Sequence, residues 1–354
     1  MYKILAINPG STSTKISIYE DEKEIFEETL RHSDDELEKF NKVADQYAFR
    51  KDQVIAFLEK NQFDIHELAA VVGRGGVLPP VKSGAYEVNE LMLDVLQNRP
   101  KVEHASNLGG MIAYEIAKLV GVKAYIYDSV AVDEMEPIAK ISGIPEIERE
   151  SLLHALNMRA CAIKMAQKLN KPYEECSFVV AHLGGGITLS VHKEGKMIDL
   201  VSDDEGPFSP ERSGRVPCRP LANMCFSGKY TKQDITKKMR GNGGLKAYLN
   251  TVDARDVEKK IHDGDETAKL IYEGMAYQIA KGIGELATVV KGQMDAIILT
   301  GGLAYSKMLM DWVQERVAWM SPVEIMPGEN EMEALTFGVL RVLRDEEKAH
   351  EFTE

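Results

Sequence analysis

The chain has 354 residues, 44% of them hydrophobic and 28% charged, which suits a globular protein of two-domain size. Its 43 Lys and Arg against 56 Asp and Glu give a formal charge of −13, which argues against non-specific binding to nucleic acid or anionic lipid and leaves room for a local basic pocket. No apolar stretch approaches the ~18 residues of a membrane span and the start shows no signal-peptide pattern, so a cytoplasmic protein without a membrane partner is expected.

In chain order, residues 2–20 read as strand, turn and strand around "NPGSTSTK", and "DEKEIFEETL" follows as a third strand after a charged turn. "YAFRKDQVIAFLEKN" has helical spacing through Phe49, Val54, Phe57 and Leu58. "LAAVVGRGGVLPP" is a short buried strand entering a Gly/Pro loop. "SNLGGMIAYEIAKLVG" opens with Ser106 and Asn107 as N-cap candidates and closes on Gly121, and "KAYIYDSVAV" is a strand again. The acidic, Pro-containing stretch "SGIPEIERES" marks a boundary near residue 150. A helix over "SLLHALNMRACAIKMAQKLN" starts the second half. "SFVVAHLGGGITLSVHKEGKMIDLV" then repeats the layout of the N-terminus: apolar strand, small-residue loop, alternating strand, charged turn, third strand. "AKLIYEGMAYQIAKGIGELATVV" keeps Ile271, Met275, Ile279, Ile283 and Leu286 on one face, as a core helix does. "MDAIILTGGLAYSKML" is a buried strand, a Gly-Gly turn and a helix, and "EMEALTFGVLRVL" is a final helix. Four cysteines, Cys161, Cys176, Cys218 and Cys225, form no C-x-x-C, so reduced thiols and no zinc are expected.

Three glycine loops, Asn8–Lys15, His182–Gly186 and Thr300–Leu303, each leave an apolar strand. Glycine lets backbone N–H groups approach phosphate oxygens with no Cβ in the way. The hydroxyls of Ser11, Thr12, Ser13 and Thr14 add donors, and Lys15 adds a charge suited to a β- or γ-phosphate. One such loop alone is more often a plain tight turn; three together point to a nucleotide held between two related units. The first is not a P-loop, since no second glycine precedes Lys15 and the loop enters a strand rather than a helix. Arg74 in "VVGRGG" and Arg212 in "PFSPERSGRVP" each offer a planar fork matched to phosphate or carboxylate; the plain alternative is a surface ion pair. Asp128 ends the strand "AYIYD", where α/β sheets bind ligands, or it is a turn or capping residue. Glu331 opens the final helix as a Mg²⁺ ligand or as a favourable first-turn charge. His154 and His182 are candidate donors to a phosphoryl oxygen, with a structural role the alternative for His154.

"NPGSTSTK", "VVGRGG", "HLGGG", "RSG", "DAR" and "GENE", in this order, resemble the acetokinase family of carboxylate kinases over residues 2 to about 342. Within it, Pro9 in the first loop, "VVGRGG" in place of a histidine-rich segment, and the shorter chain point to the butyrate kinases. The resemblance implies an α/β fold of two ribonuclease-H-like, actin-like ATPase domains, with a duplicated βββαβαβα core and an interdomain cleft. The first domain would be residues 1–150 with the C-terminal helix 331–354, on the acid-substrate side; residues 151–330 would bind the nucleotide.

The resemblance also implies roles. Asp128, Arg212 and His154 would be catalytic, and Arg74 would bind the carboxylate substrate. Lys15, Ser11 and Ser13, with His182, Leu183, Gly184, Gly185 and Gly186, would bind the nucleotide. So would Asp253, Ala254 and Arg255, and Gly301, Gly302, Leu303, Ala304 and Tyr305. Asn8 and Glu331 would hold Mg²⁺ with ATP or ADP. Two departures stand out: the family's "HGTSH" is here "HALNM", and its "GIGEN" is "GGLAY". The implied reaction moves the γ-phosphoryl of ATP directly, in line, to butanoate. Acetate, propionate or branched isobutyrate are alternatives, and an actin- or heat-shock-like ATPase switch is the alternative of another class. The partners would be small molecules, with no nucleic acid, in a homodimer or larger assembly.

Overall fold

In the computed structural model, which describes residues 1–353, the chain divides into two compact units. One runs from Met1 to Asp133 and includes the C-terminal segment from Asn330; the other spans Glu134–Glu329. The stretch 142–151 therefore lies inside the second unit.

Strands β1 (Lys3–Pro9), β2 (Ser13–Glu20), β3 (Lys23–Arg31), β4 (Leu68–Arg74), β5 (Ala85–Glu87) and β6 (Lys123–Tyr127) belong to the first unit. Strands β7 (Ser177–Leu183), β8 (Ile187–Lys193), β9 (Lys196–Val201), β10 (Ala296–Gly301) and β11 (Val323–Pro327) form the sheet of the second. A short β12 (His350–Glu351) completes the first sheet.

The sheets repeat one order. The first runs β3-β2-β1-β4-β6 and continues into β5 and β12; the second runs β9-β8-β7-β10-β11. In each, three strands are parallel (β1, β4, β6 and β7, β10, β11) and the second strand folds back antiparallel on the first. This is the duplicated α/β layout that the two similar sequence halves imply. The extra strands β5 and β12 are three and two residues long, too short to announce themselves by periodicity.

The parallel strands read as unbroken apolar runs because helices cover them. All six residues of β10 are buried. On the helix Glu266–Val289, Met275, Ile279, Ile283 and Leu286 are buried in the second core while Ile271 is only partly covered. The helix Ala155–Lys168 packs on β7 and β10, and the helix Glu331–Leu343 packs on β1, β4 and β6. Two local expectations change. The helix expected over 151–170 starts only at Ala155, because His154 turns its ring and its N–H to Thr188 Oγ1 instead of entering the helix. Ser106 precedes the helix Asn107–Val120 without capping it. The Asn107 side chain instead bridges Val77 N–H and the Val102 carbonyl, at 2.8 and 2.9 Å.

Candidate active site

In the first unit the parallel strands bring their C-terminal ends together. Ile7 pairs with Gly73 and Arg74 pairs with Tyr127, so Asn8, Arg74 and Asp128 stand on one edge of the sheet. That edge is where open α/β sheets take ligands. The approach depends on glycine: a Cβ on Gly73 would lie 2.8 Å from Gly110 N of the covering helix. Asn107 then pins the segment after Arg74 through Val77.

Arg74 Nη1 lies 2.7 Å from Glu331 Oε1 and 3.4 Å from Asn8 Oδ1, and Asn8 Nδ2 donates to Glu331 Oε2. Three of the sequence candidates thus form one polar cluster, with the Arg74 side chain 25% exposed and that of Glu331 17% exposed. Asn330, just before Glu331, takes a left-handed φ of 40°, which turns the chain into the helix. Asp128 is buried at φ 39°, and its Oδ1 accepts the Gly84 N–H at 2.7 Å. Lys15 faces Asn8 across the β1–β2 hairpin, but its ammonium pairs with Glu27 Oε1 at 2.7 Å rather than joining the cluster. Ser11 lies exposed in the hairpin loop, closed by Gly10 N–H donating to Ser13 O at 2.7 Å.

The second unit repeats the construction. His182 pairs with Thr300 across β7 and β10, again at the C-terminal edge. The rings of His154 and His182 stack 3.9 Å apart with planes 10° apart. His154 Nδ1 meets Thr188 Oγ1 at 2.9 Å, and His182 Nδ1 accepts from Asn157 Nδ2 at 2.9 Å. Thr300 Oγ1 donates its proton to the Gly328 carbonyl at 3.2 Å and so accepts from Asn157 Nδ2 at 3.1 Å, which orients the amide. With Nδ1 accepting, the His182 proton sits on Nε2. That atom is buried without a hydrogen-bond partner among the described residues, 3.6 Å from Glu329 Oε1. A buried donor without an acceptor is uncommon enough to require a reason.

Arg212 lies against the loop Gly184–Gly186: a Cβ on Gly186 would stand 2.5 Å from its Cζ. Its guanidinium pairs with the buried carboxylate of Asp203, which also takes Arg240. Gly301, at φ 92°, is held close to Leu183, whose carbonyl carbon would be 2.7 Å from a Cβ there. His154, His182, Gly184, Gly185, Gly186 and Arg212 are therefore one site. Asn157, Thr188, Asp203 and Arg240 support it and were not singled out by the sequence.

A cavity of about 650 Å³ in the same unit is lined by Asp253, Ala254, Arg255 and Glu258 from one segment and by Gly302, Leu303, Tyr305 and Ser306 from another. Two segments far apart in the chain, "DAR" and "GGLAY", meet there. Asp253 caps the helix Ala254–His262 through Arg255 N–H at 2.9 Å. The Arg255 guanidinium, then that amide, hold its carboxyl down at about 2. Of the last loop, Leu303 and Ala304 are buried in the core and Tyr305 is exposed.

A duplicated five-stranded motif with polar groups at the carboxyl edge of each sheet is an actin-like α/β fold. The fold is shared with Porphyromonas gingivalis acetate kinase (18% identity, covering 96% of this chain and 99% of that one, TM-score 0.80). A propionate kinase from Francisella tularensis subsp. tularensis SCHU S4 matches at 17% identity, over 96% and 99%, with a TM-score of 0.77. The acetate kinase of Entamoeba histolytica matches at 15%, over 95% and 98%, with 0.76. At such identities the likeness is one of fold. The model of the acetokinase family matches residues 148–329, just over half of the chain. The protein belongs to the acetokinase family, whose members are ATP-dependent carboxylate kinases.

Proposed function

We propose that the protein transfers the γ-phosphoryl group of ATP to a short-chain fatty acid, butanoate foremost, giving the acyl phosphate and ADP. The observation that carries this reading is the Arg74–Asn8–Glu331 cluster at the sheet edge. There a guanidinium already holds one carboxylate oxygen through Nη1, and its planar fork could take a substrate carboxylate. A switch ATPase needs no such group. Butanoate is favoured by the Pro9 loop and "VVGRGG", the features that resemble the butyrate kinases. One methylene in an apolar pocket is worth only about 1–3 kcal/mol, so acetate, propionate and isobutyrate remain overlapping substrates.

A carboxylate is already nucleophilic at neutral pH, so no general base is required. One acid oxygen attacks the γ-phosphorus in line while the bond to the β-phosphate oxygen breaks and ADP leaves. Arg74 holds the acid. Arg212, His154 and His182 supply donors to the phosphoryl oxygens as charge develops, which is where binding accelerates the chemical step. The unpartnered His182 Nε2 gains its acceptor there. Asp128 orients the phosphoryl side of the first unit. The cavity between "DAR" and "GGLAY" suits the adenosine end of the nucleotide, and Ser11, Ser13 and Lys15 suit its phosphates.

Asn8 and Glu331 would hold Mg²⁺. The donor set fits: a carboxylate and an amide oxygen are hard ligands, and Mg²⁺ takes one or two carboxylates with waters and phosphates filling the rest. When bound, Mg²⁺ neutralises phosphate charge. Glu331 and Arg74 bond each other, so the residue that would hold the metal and the one that would hold the acid stand side by side.

The test is hydroxylamine trapping of acyl phosphate with ATP and a ladder of acids from two to five carbons, including isobutyrate. The expected result is hydroxamate with a maximum at four carbons. ATP hydrolysis with no hydroxamate from any acid would make the protein a switch of the actin or heat-shock kind.

A further inference from the structure

Arg50 lies on the helix Tyr47–Lys60 and is 1% exposed. Its Nη1 donates to the Gly10 and Ser13 carbonyls at 2.7 and 2.9 Å, and to Thr14 Oγ1 at 3.3 Å. Its Nη2 donates to the Ser11 carbonyl at 2.9 Å, and Gln46 Oε1 takes Nε and Nη2 from behind, at 3.1 and 2.8 Å. Every acceptor is neutral, and among the described residues Arg50 forms no ion pair. Burial lowers its pKa to about 10, so it stays charged at neutral pH.

A lone buried charge is expensive, and buried charges normally carry a counter-charge. Its position explains where that counter-charge comes from. A peptide unit is planar and trans, so its N–H points opposite to its C=O. Drawing the Gly10 and Ser11 carbonyls inward therefore aims the N–H groups of Ser11 and Thr12 outward. Those two amides donate to nothing among the described residues, and both residues are exposed. The Thr12 carbonyl is anchored as well, by His32 N–H at 2.9 Å. Successive outward N–H groups make an anion-binding concavity, here with a cation fixed behind it.

We propose that Arg50 is a positioning residue for the phosphate chain of the nucleotide: a buried cation that turns the Ser11 and Thr12 amides outward and takes its counter-charge from the bound phosphate. This rests on the reading of the hairpin loop as a phosphate loop, so the test must separate the two.

Adenosine, AMP and ADP are titrated into the full-length protein, wild type, Arg50→Met and Arg50→Lys, by calorimetry. In Arg50→Met, ADP binding should weaken about tenfold or more while adenosine binding stays within twofold, since hydrogen bonds to the charged phosphate are the ones lost. Arg50→Lys, which keeps the charge but not the fork, should fall between. Equal losses for adenosine and ADP, or a lower melting temperature with ADP affinity intact, would overturn the proposal. Should Arg50→Met fail to fold, amide exchange on the wild type decides. ADP should slow exchange at Ser11 and Thr12, and unprotected amides would refute the idea. Hydroxamate formation with unprotected amides sinks this proposal and leaves the kinase reading standing. Protection without hydroxamate from any acid does the reverse.

Discussion

Replacing Gly186 with alanine tests the catalytic half of the account with one methyl group. The new Cβ would stand 2.5 Å from Cζ of Arg212, whereas carbon contacts settle near 3.5 Å or beyond. The guanidinium must therefore retreat by roughly 1 Å. It cannot do so freely, since Asp203 holds it and is itself buried and shared with Arg240. A misplacement of about 1 Å costs roughly 10²-fold when the group acts in the transition state, and the loss belongs in kcat. Gly185, next in the chain, is the control: a Cβ there meets nothing nearer than Glu211 Oε1 at 3.9 Å. Any loss in Gly185→Ala comes from crowding the phosphate and belongs in KM for ATP. Initial rates by hydroxamate trapping, with ATP and acid varied separately, give the split; thermal melting checks the fold. A Gly186→Ala enzyme within threefold of wild-type kcat, or one losing ATP affinity at unchanged kcat, would refute the role given to Arg212.

Glu331→Gln should raise the Mg²⁺ concentration for half-maximal activity by about tenfold or more, as loss of a charged oxygen ligand does, and a Mg²⁺ titration of the variant checks it. A pH effect on stability follows from His192, which is wholly buried between Tyr173 OH and Ser190 Oγ, each 2.7 Å away. Burial, then the charge of Arg159, lowers its pKa to about 3. The unfolded chain takes that proton near 6.5, so between the two values it binds more protons than the folded chain. Stability from this group is complete above about pH 6.5 and falls by up to about 1.4 kcal/mol per unit as pH drops towards 3. Urea midpoints at pH 7.5 and 5 should show a steeper loss for wild type than for His192→Gln, and equal losses would contradict this.

Much of the fold was legible because its signals are local. The runs "ILAI", "FVVA" and "AIILTG" are buried strands, and the 3.6-residue period of Glu266–Val289 names its own core face. What escaped was long-range. Asp203 stands beside Asp204 and Glu205, and nothing in that acidic run says which carboxylate turns inward to meet Arg212. Asn157 looks like a misplaced polar residue on a helix until β7 and β10 bring His182 and Thr300 to it. The ion pair of Lys15 with Glu27 depends on the register of β3, which no local pattern announces. Arg50 alone left a usable trace. It lies four residues before Val54 and eight before Leu58, on the apolar stripe of its helix, where a charge signals a buried partner.

Whether Arg74 presents the acid to the terminal phosphorus is decided by steady-state kinetics of Arg74→Ala. KM for butanoate should rise about 100-fold or more, with ADP affinity by calorimetry within twofold of wild type, as follows when the guanidinium that holds a carboxylate is lost. Lost ADP affinity with an unchanged KM for butanoate would place Arg74 on the nucleotide and contradict the account.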